Sequence, residues 1–282
     1  MNQKITSLLA VSAVTLSGCS DSSSVQESSA KSNKIETKYC VTLGDSISAG
    51  YGLNDAEHER YTTLLTEKLK STEEKWVDCN YAVSGDDSTD LIKRLHDGKA
   101  VRLPAADMIL LYIGANNTLG PYSEYLAAIS APAVSNEKLL QAKEVLDKGI
   151  EEGHATLQND LKIIYDWIRE RNAKDHAKIY LMSIYNPFFS KKDVTLPATD
   201  ITFSAYAQTV TERSNQILSD FASAHDDIIF VDIAPEYEKC EKMPINGQIA
   251  DASEWAIDPH PTAEGHKIIA DTIYDVIEAN RE

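Results

Sequence analysis

Four short blocks along a chain of 282 residues hold residue types suited to nucleophilic chemistry. The first is Gly44-Asp45-Ser46-Ile47-Ser48-Ala49-Gly50-Tyr51-Gly52, a serine presented among turn-forming residues. The second is Ser84-Gly85-Asp86, the third Gly114-Ala115-Asn116-Asn117, and the last Asp258-Pro259-His260-Pro261-Thr262. A serine hydroxyl becomes a useful nucleophile when a neighbouring base takes its proton, and histidine is the usual base near neutral pH. The familiar roles of a glycine-rich block do not fit the first of these. It lacks the Lys-Ser/Thr of a phosphate-cradling loop and does not match G-x-G-x-x-G. A nucleophile elbow would need glycine where Ser48 stands, and would place its serine deeper into a sheet than after a first strand.

Such blocks need rigid elements to bring them together. Tyr39 to Leu43 reads as a buried strand ending at Gly44. Further strands are expected over residues 76–83, 108–113, 179–184 and 228–233, each a short apolar run. Helical spacing marks residues 58–71, 91–95, 139–167, 202–223 and 265–279, with Gly149 and Gly153 expected to break or kink the third of these. Short apolar strands alternating with helices imply a parallel sheet covered on both faces, a three-layer α/β/α domain. In such sheets ligands bind beyond the carboxyl ends of the strands, where these blocks fall.

Taken together and in this order, the blocks resemble those of the SGNH (GDSL-like) hydrolase family, over essentially the whole domain. The resemblance implies a flavodoxin-like fold with a central parallel sheet of about five strands. It also implies ester hydrolysis through an acyl-serine intermediate, with neither metal nor organic cofactor. Carried over by residue, Ser46 is the nucleophile and His260 the base. The Ser46 and Gly85 amides and the Asn116 side chain are the oxyanion donors. The chemistry agrees: an acyl transfer needs donors aimed at the developing oxyanion, and glycine lets backbone approach a reacting carbonyl closely.

The chain departs from the family pattern twice. Asn117 stands where an aspartate usually follows the third-block asparagine. The usual triad acid lies three residues before the histidine, where this chain has Ile257. Asp258, two residues before His260, is the leading acid; Glu254, or a backbone carbonyl orienting a Ser-His dyad, are the other options. His266 with Asp258 could suggest a metal site, but packing accounts better for that histidine. Trp255 and the Asn186-Pro187-Phe188-Phe189 loop are candidate walls of the cleft.

A net charge of −17 excludes a nucleic-acid partner, which needs a basic stripe. At the N-terminus, Lys4 precedes an apolar run from Ile5 to Val14 that is too short to span a bilayer. It ends in Leu16-Ser17-Gly18-Cys19, which resembles the lipobox of bacterial lipoproteins. Residues 1–18 are therefore expected to be a signal peptide and Cys19 a lipidated N-terminus. Residues 19–35, rich in serine, read as a tether, and 36–282 as the hydrolase domain. The resemblance implies attachment to the outer face of the cell membrane, or to an outer membrane, which Ser20 favours. Cys40 and Cys79, on neighbouring strands, could pair or stay as buried thiols. The implied partner is a small-molecule, lipid or glycan ester, and nothing in the residues sets an oligomeric state. An acyltransferase using the same site and a non-catalytic surface binding protein are the competing readings.

Overall fold

Leu-, Ile- and Met-rich runs too short for helices bury both faces only inside a covered parallel sheet. The structure, a computed structural model, describes residues 35–71, 73–130, 133–174, 177–249 and 257–281. Cys19, residues 20–34, Glu254 and Trp255 lie outside the described residues. Within the described part, β1 (Glu36–Gly44), β2 (Glu74–Asn80), β3 (Met108–Tyr112), β4 (Lys178–Met182) and β5 (Ile228–Val231) form a parallel sheet in the order β2-β1-β3-β4-β5. Every residue of β3 is buried. Burying each of its large apolar side chains contributes roughly 1.5–3 kcal/mol relative to exposure.

The helices are α1 (Ser46–Ala49), α2 (Ala56–Glu59), α3 (Tyr61–Leu69), α4 (Ser88–His96), α5 (Ala115–Ile129), α6 (Asn136–Arg171), α7 (Phe203–Ser223), α8 (Ala234–Glu238) and α9 (Ala263–Ala279). Helices α3 and α9 pack together on one face of the sheet; α4, α6 and α7 pack in sequence on the other. This is the flavodoxin-like strand order. Its chain reverses direction across the sheet between β1 and β3, opening a crevice at their carboxyl ends. A separate antiparallel pair, β6 (Ile245–Gln248) and β7 (Ile257–Pro261), stands beside that crevice.

One expectation is corrected. Gly149 and Gly153 do not break α6, which runs unbroken for 36 residues, about 54 Å at 1.5 Å per residue. They are contact points instead. A Cβ at Gly153 would lie 2.1 Å from the Asn117 carbonyl oxygen, and one at Gly149 would meet the Pro121 ring at 2.7 Å. Pro121, inside α5, has no N–H for the Asn117 carbonyl four residues back, so α5 presents that oxygen to α6 at close range. Helix α5 occupies a stretch to which the sequence pattern assigns no element. Of the two states open to Cys40 and Cys79, the structure has both as free thiols, and Cys240 is a free thiol too. Cys40 sits level with Asp78, and Cys79 with Val41, so the two cysteines are one step out of register and face opposite sides of the sheet.

Because α6 is longer than the strands it covers, it serves two apolar clusters. Leu157, Leu161, Ile164 and Ile168 pack in the main core on the sheet. Leu146 and Ile150, nearer its start, join Tyr125 and Ile129 of α5, Phe188, Leu196 and Phe203 in a second cluster beyond it.

Candidate active site

The turn after β1 is dictated by crowding. Gly44 has φ +154, and a Cβ there would lie 2.3 Å from the Tyr112 carbonyl oxygen of β3. The chain then enters α1, whose N-cap is Asp45, accepting from the Ile47 amide at 2.9 Å. Ser46 is the first helical residue, where an amide has no partner within the helix. Asp45 is almost wholly buried beneath it. Burial pushes its carboxyl up to about 7, against the opposing pull of the Ile47 amide and with added repulsion from Asp86.

His260 arrives on β7, 214 residues further on, and its Nε2 stands 2.9 Å from Ser46 Oγ. Its Nδ1 stands 2.6 Å from Asp258 Oδ1, which also accepts from the His260 amide at 3.1 Å. Strand geometry explains how a carboxylate two residues away reaches the ring. Side chains alternate along β7, so Asp258 and His260 share one face. Ile257 points the other way and packs against both apolar clusters, so a carboxylate there would be misplaced. Burial pushes the Asp258 carboxyl up, but hydrogen bonds from the His260 amide and ring outweigh it and hold it below the usual range. A third bond to Asp258 comes from Asn246 Nδ2 at 3.1 Å.

Asn246, on β6, carries no signal in the sequence because nothing local marks β6 and β7 as a strand pair. Its place depends on the first block. A Cβ at Gly52, with φ +85, would lie 2.7 Å from Asn246 Nδ2. The neighbouring Tyr51 leans on His260, with ring centroids 4.5 Å apart and the planes tilted by 48°. From the opposite side, Tyr185 Oη donates to the Pro259 carbonyl at 2.6 Å, fixing β7 between its two polar residues.

The second and third blocks meet the first across the crevice. Ser46, Ser84, Gly85, Asn116 and His260 line one cavity of about 410 Å³. Gly85 has φ +90, a conformation that disfavours a side chain. Asn116 Nδ2 spends one N–H on the Asp86 carbonyl at 2.8 Å, leaving a second for the cavity. Asp86 is held in turn by Arg94, whose Nη2 reaches Oδ1 at 2.8 Å. Asn117 explains its own departure from the pattern. Its Oδ1 accepts from the Ser88 amide at 3.2 Å and its Nδ2 donates to Ser88 Oγ at 2.8 Å. Ser88 Oγ gives its single proton to Asp160 at 2.8 Å, so its partner at position 117 must be a donor. An aspartate could not fill that role.

Of the proposed cleft walls, Pro187 lines the cavity and Phe188 belongs to the second cluster. His266 is buried elsewhere, its Nδ1 accepting from the Tyr61 amide at 3.3 Å. Burial, with a smaller contribution from the neighbouring His260, pushes it down to about 4. It stands against Tyr61, whereas Asp258 bonds to Asn246 and His260.

A serine, a histidine and a carboxylate in one hydrogen-bonded line, at the switch point of a flavodoxin-like sheet, define the class as a hydrolase of the α/β/α type. Residues 42–268 match the GDSL-like Lipase/Acylhydrolase family, and the chain belongs to it. Among curated proteins it is similar to the uncharacterized protein YpmR of Bacillus subtilis, at 29% identity over 194 residues, covering 67% of this chain and 68% of that one. Among solved structures, an extracellular lipase from Streptomyces rimosus superposes with a TM-score of 0.58 at 18% identity, covering 86% of this chain and all of that one. A variant of an acetyl-xylooligosaccharide esterase from Geobacillus Stearmophilus gives 0.54 at 18% identity, covering 88% and 97%. At such identities the structures establish the shared fold.

Proposed function

We propose that the chain is a serine-dependent ester hydrolase working through an acyl-Ser46 intermediate. The observation that carries this is the line from Ser46 Oγ through the His260 ring to Asp258, with bonds of 2.9 and 2.6 Å, opening into a cavity. Ser46 Oγ attacks the ester carbonyl carbon while its proton passes to His260 Nε2. The carbonyl oxygen takes up negative charge, facing the amides of Ser46 and Gly85 and the second N–H of Asn116. As the C–O bond to the alcohol breaks, His260 returns its proton to the leaving oxygen. Water then attacks the acyl-serine, giving a proton to His260 and releasing the carboxylic acid as Ser46 recovers its hydrogen. Asp258 holds the ring with Nδ1 protonated and Nε2 free to accept, and stabilises the imidazolium that forms.

The substrates in this reading are lipid, aryl or acetylated-carbohydrate esters. A lipid anchor at Cys19, after removal of residues 1–18, would hold the enzyme on the outer face of a bacterial cell membrane or on an outer membrane. Replacing Cys19 with Ala should release it; retention through salt washes would count against the anchor. The hydrolase is tested with the purified protein on p-nitrophenyl esters from acetyl to palmitoyl, beside Ser46→Ala and Asn116→Ala. Turnover should vanish in the first and fall on the order of 100- to 1000-fold in the second. A serine variant that retains full turnover, or a wild type inert on every ester, would overturn the reading.

A further inference from the structure

Beside the catalytic cavity lies a smaller apolar chamber of about 60 Å³. It sits in the second apolar cluster, walled by Tyr122, Leu146, Ile150, Phe188, Phe203 and Val210. Thr118, Leu119, Pro187 and Thr211 line both spaces, so the two adjoin through a common wall of four residues. The sheet has no part in this chamber. It exists because α6 outruns the strands and because the segment after β4 folds over the start of α7.

The geometry also says which half of an ester would point there. His260 returns a proton to the leaving alcohol, so the alcohol must depart on the side of His260 and Tyr51. Tyr51 is 55% exposed, so that side is open to solvent. Asn116 also lines the cavity, and Thr118 and Leu119 lie two and three residues further along α5. With the alcohol on the side of His260 and Tyr51, the acyl chain is the half left to face Thr118 and Leu119, the residues that the cavity shares with the chamber. Neither His260 nor Tyr51 lines the chamber.

We propose that the chamber seats the end of the acyl chain, which makes medium-chain fatty acyl esters, and not acetylated sugars, the substrate class. This rests on the ester-hydrolase reading above. At the ~10–15 Å³ that one water-sized group takes, 60 Å³ holds about four to six such groups. An acetyl group, held at Ser46, gains nothing from that space, and a palmitoyl chain exceeds it.

The test compares kcat/KM on p-nitrophenyl acetate, butyrate, octanoate and palmitate for the wild type, Ala207→Phe and Val210→Phe. Both positions line the chamber away from the catalytic line. The wild type should gain up to about fourfold per methylene seated, peak near octanoyl and fall at palmitoyl. Either phenylalanine should pull the octanoyl-to-acetyl ratio toward one, with circular dichroism showing a folded protein. Calorimetry of octanoate and acetate against Ser46→Ala, alone and combined with Ala207→Phe, reads the chamber without catalysis. Acetyl turnover with no length preference, or a ratio untouched in both fillers, overturns the chamber and leaves the hydrolase standing. Octanoate binding that the filler abolishes, in a protein inert on every ester, supports the chamber and overturns the hydrolase. Octanoate that binds no better than acetate counts against the chamber whatever the kinetics.

Discussion

Replacing Asn117 with Asp would restore the residue type usual in the family, yet the structure predicts that it damages this protein. Both Asn117 and Ser88 are buried. Ser88 Oγ receives a hydrogen bond from Asn117 Nδ2 and donates to Asp160, each at 2.8 Å. A carboxylate at position 117 takes away the donor and brings a second negative charge within about 5.6 Å of Asp160. At an effective dielectric near 20 the repulsion is about 3 kcal/mol. That is equivalent to raising the new carboxyl by roughly two pH units, from about 3.9 to about 6. The sign follows from linkage. A group whose pKa is higher in the folded than in the unfolded state binds more protons when folded, so stability falls as pH rises between those values. The deficit should be small near pH 4, grow toward pH 6 and be complete at neutrality, where Tm drops by roughly 6–12 °C for a domain this size. Thermal unfolding of N117D across that range checks the slope. The companion test is N117D/D160N. An amide nitrogen at position 160 would donate to Ser88 and Thr89, which both now donate to Asp160 Oδ2, and Ser88 could then donate to the new carboxylate. The double variant should recover most of the loss. An N117D protein as stable as wild type at neutral pH, or a double variant no better than the single, would refute the donor argument.

Other perturbations read other parts of the molecule. Asp258→Asn keeps the shape and leaves His260 with the wrong tautomer, so ester turnover should fall on the order of 10⁴-fold; a loss under tenfold would make Asp258 a bystander. Asp45, held near 7 by burial, weakens the fold as pH rises from about 4 through 7; Asp45→Asn should remove that part of the slope in urea midpoints, and an unchanged difference between variant and wild type would count against it. Gly153→Ala should lower Tm, because overpacking against the Asn117 carbonyl costs about 1–3 kcal/mol and exceeds the ~1 kcal/mol that alanine gains in a helix. A higher Tm would sink that packing account.

What the sequence discloses depends on how local each cause is. Ser46 and His260 are legible because few residue types do their chemistry, and the strand–helix alternation is legible because apolar periodicity is a property of each segment alone. Asp258 is legible as a candidate and becomes an obvious partner only once Ile257–Pro261 is known to be a strand. That strand, Ile-Asp-Pro-His-Pro, has almost none of the residue types that favour one. Asn246 is illegible for the same reason. Gly120-Pro121 hides α5 by breaking its local pattern. Gly149 and Gly153 mislead in the opposite direction. Their reason for being glycine is not in their own helix but in the carbonyl and proline ring of its neighbour, which no local rule sees.

The 214 residues between Ser46 and His260 have a consequence in time. Ribosomes add about 5–20 residues per second, so Ser46 emerges roughly 10–40 s before His260. The strand that carries Asp258 and His260 is outside the sheet and is followed by α9, which must itself dock against α3. A nascent chain can therefore assemble its five-stranded sheet, with Ser46, Gly85 and Asn116 in place, before His260 can reach Ser46. On the proposed reading, the power to cleave an ester arrives only when synthesis is almost finished.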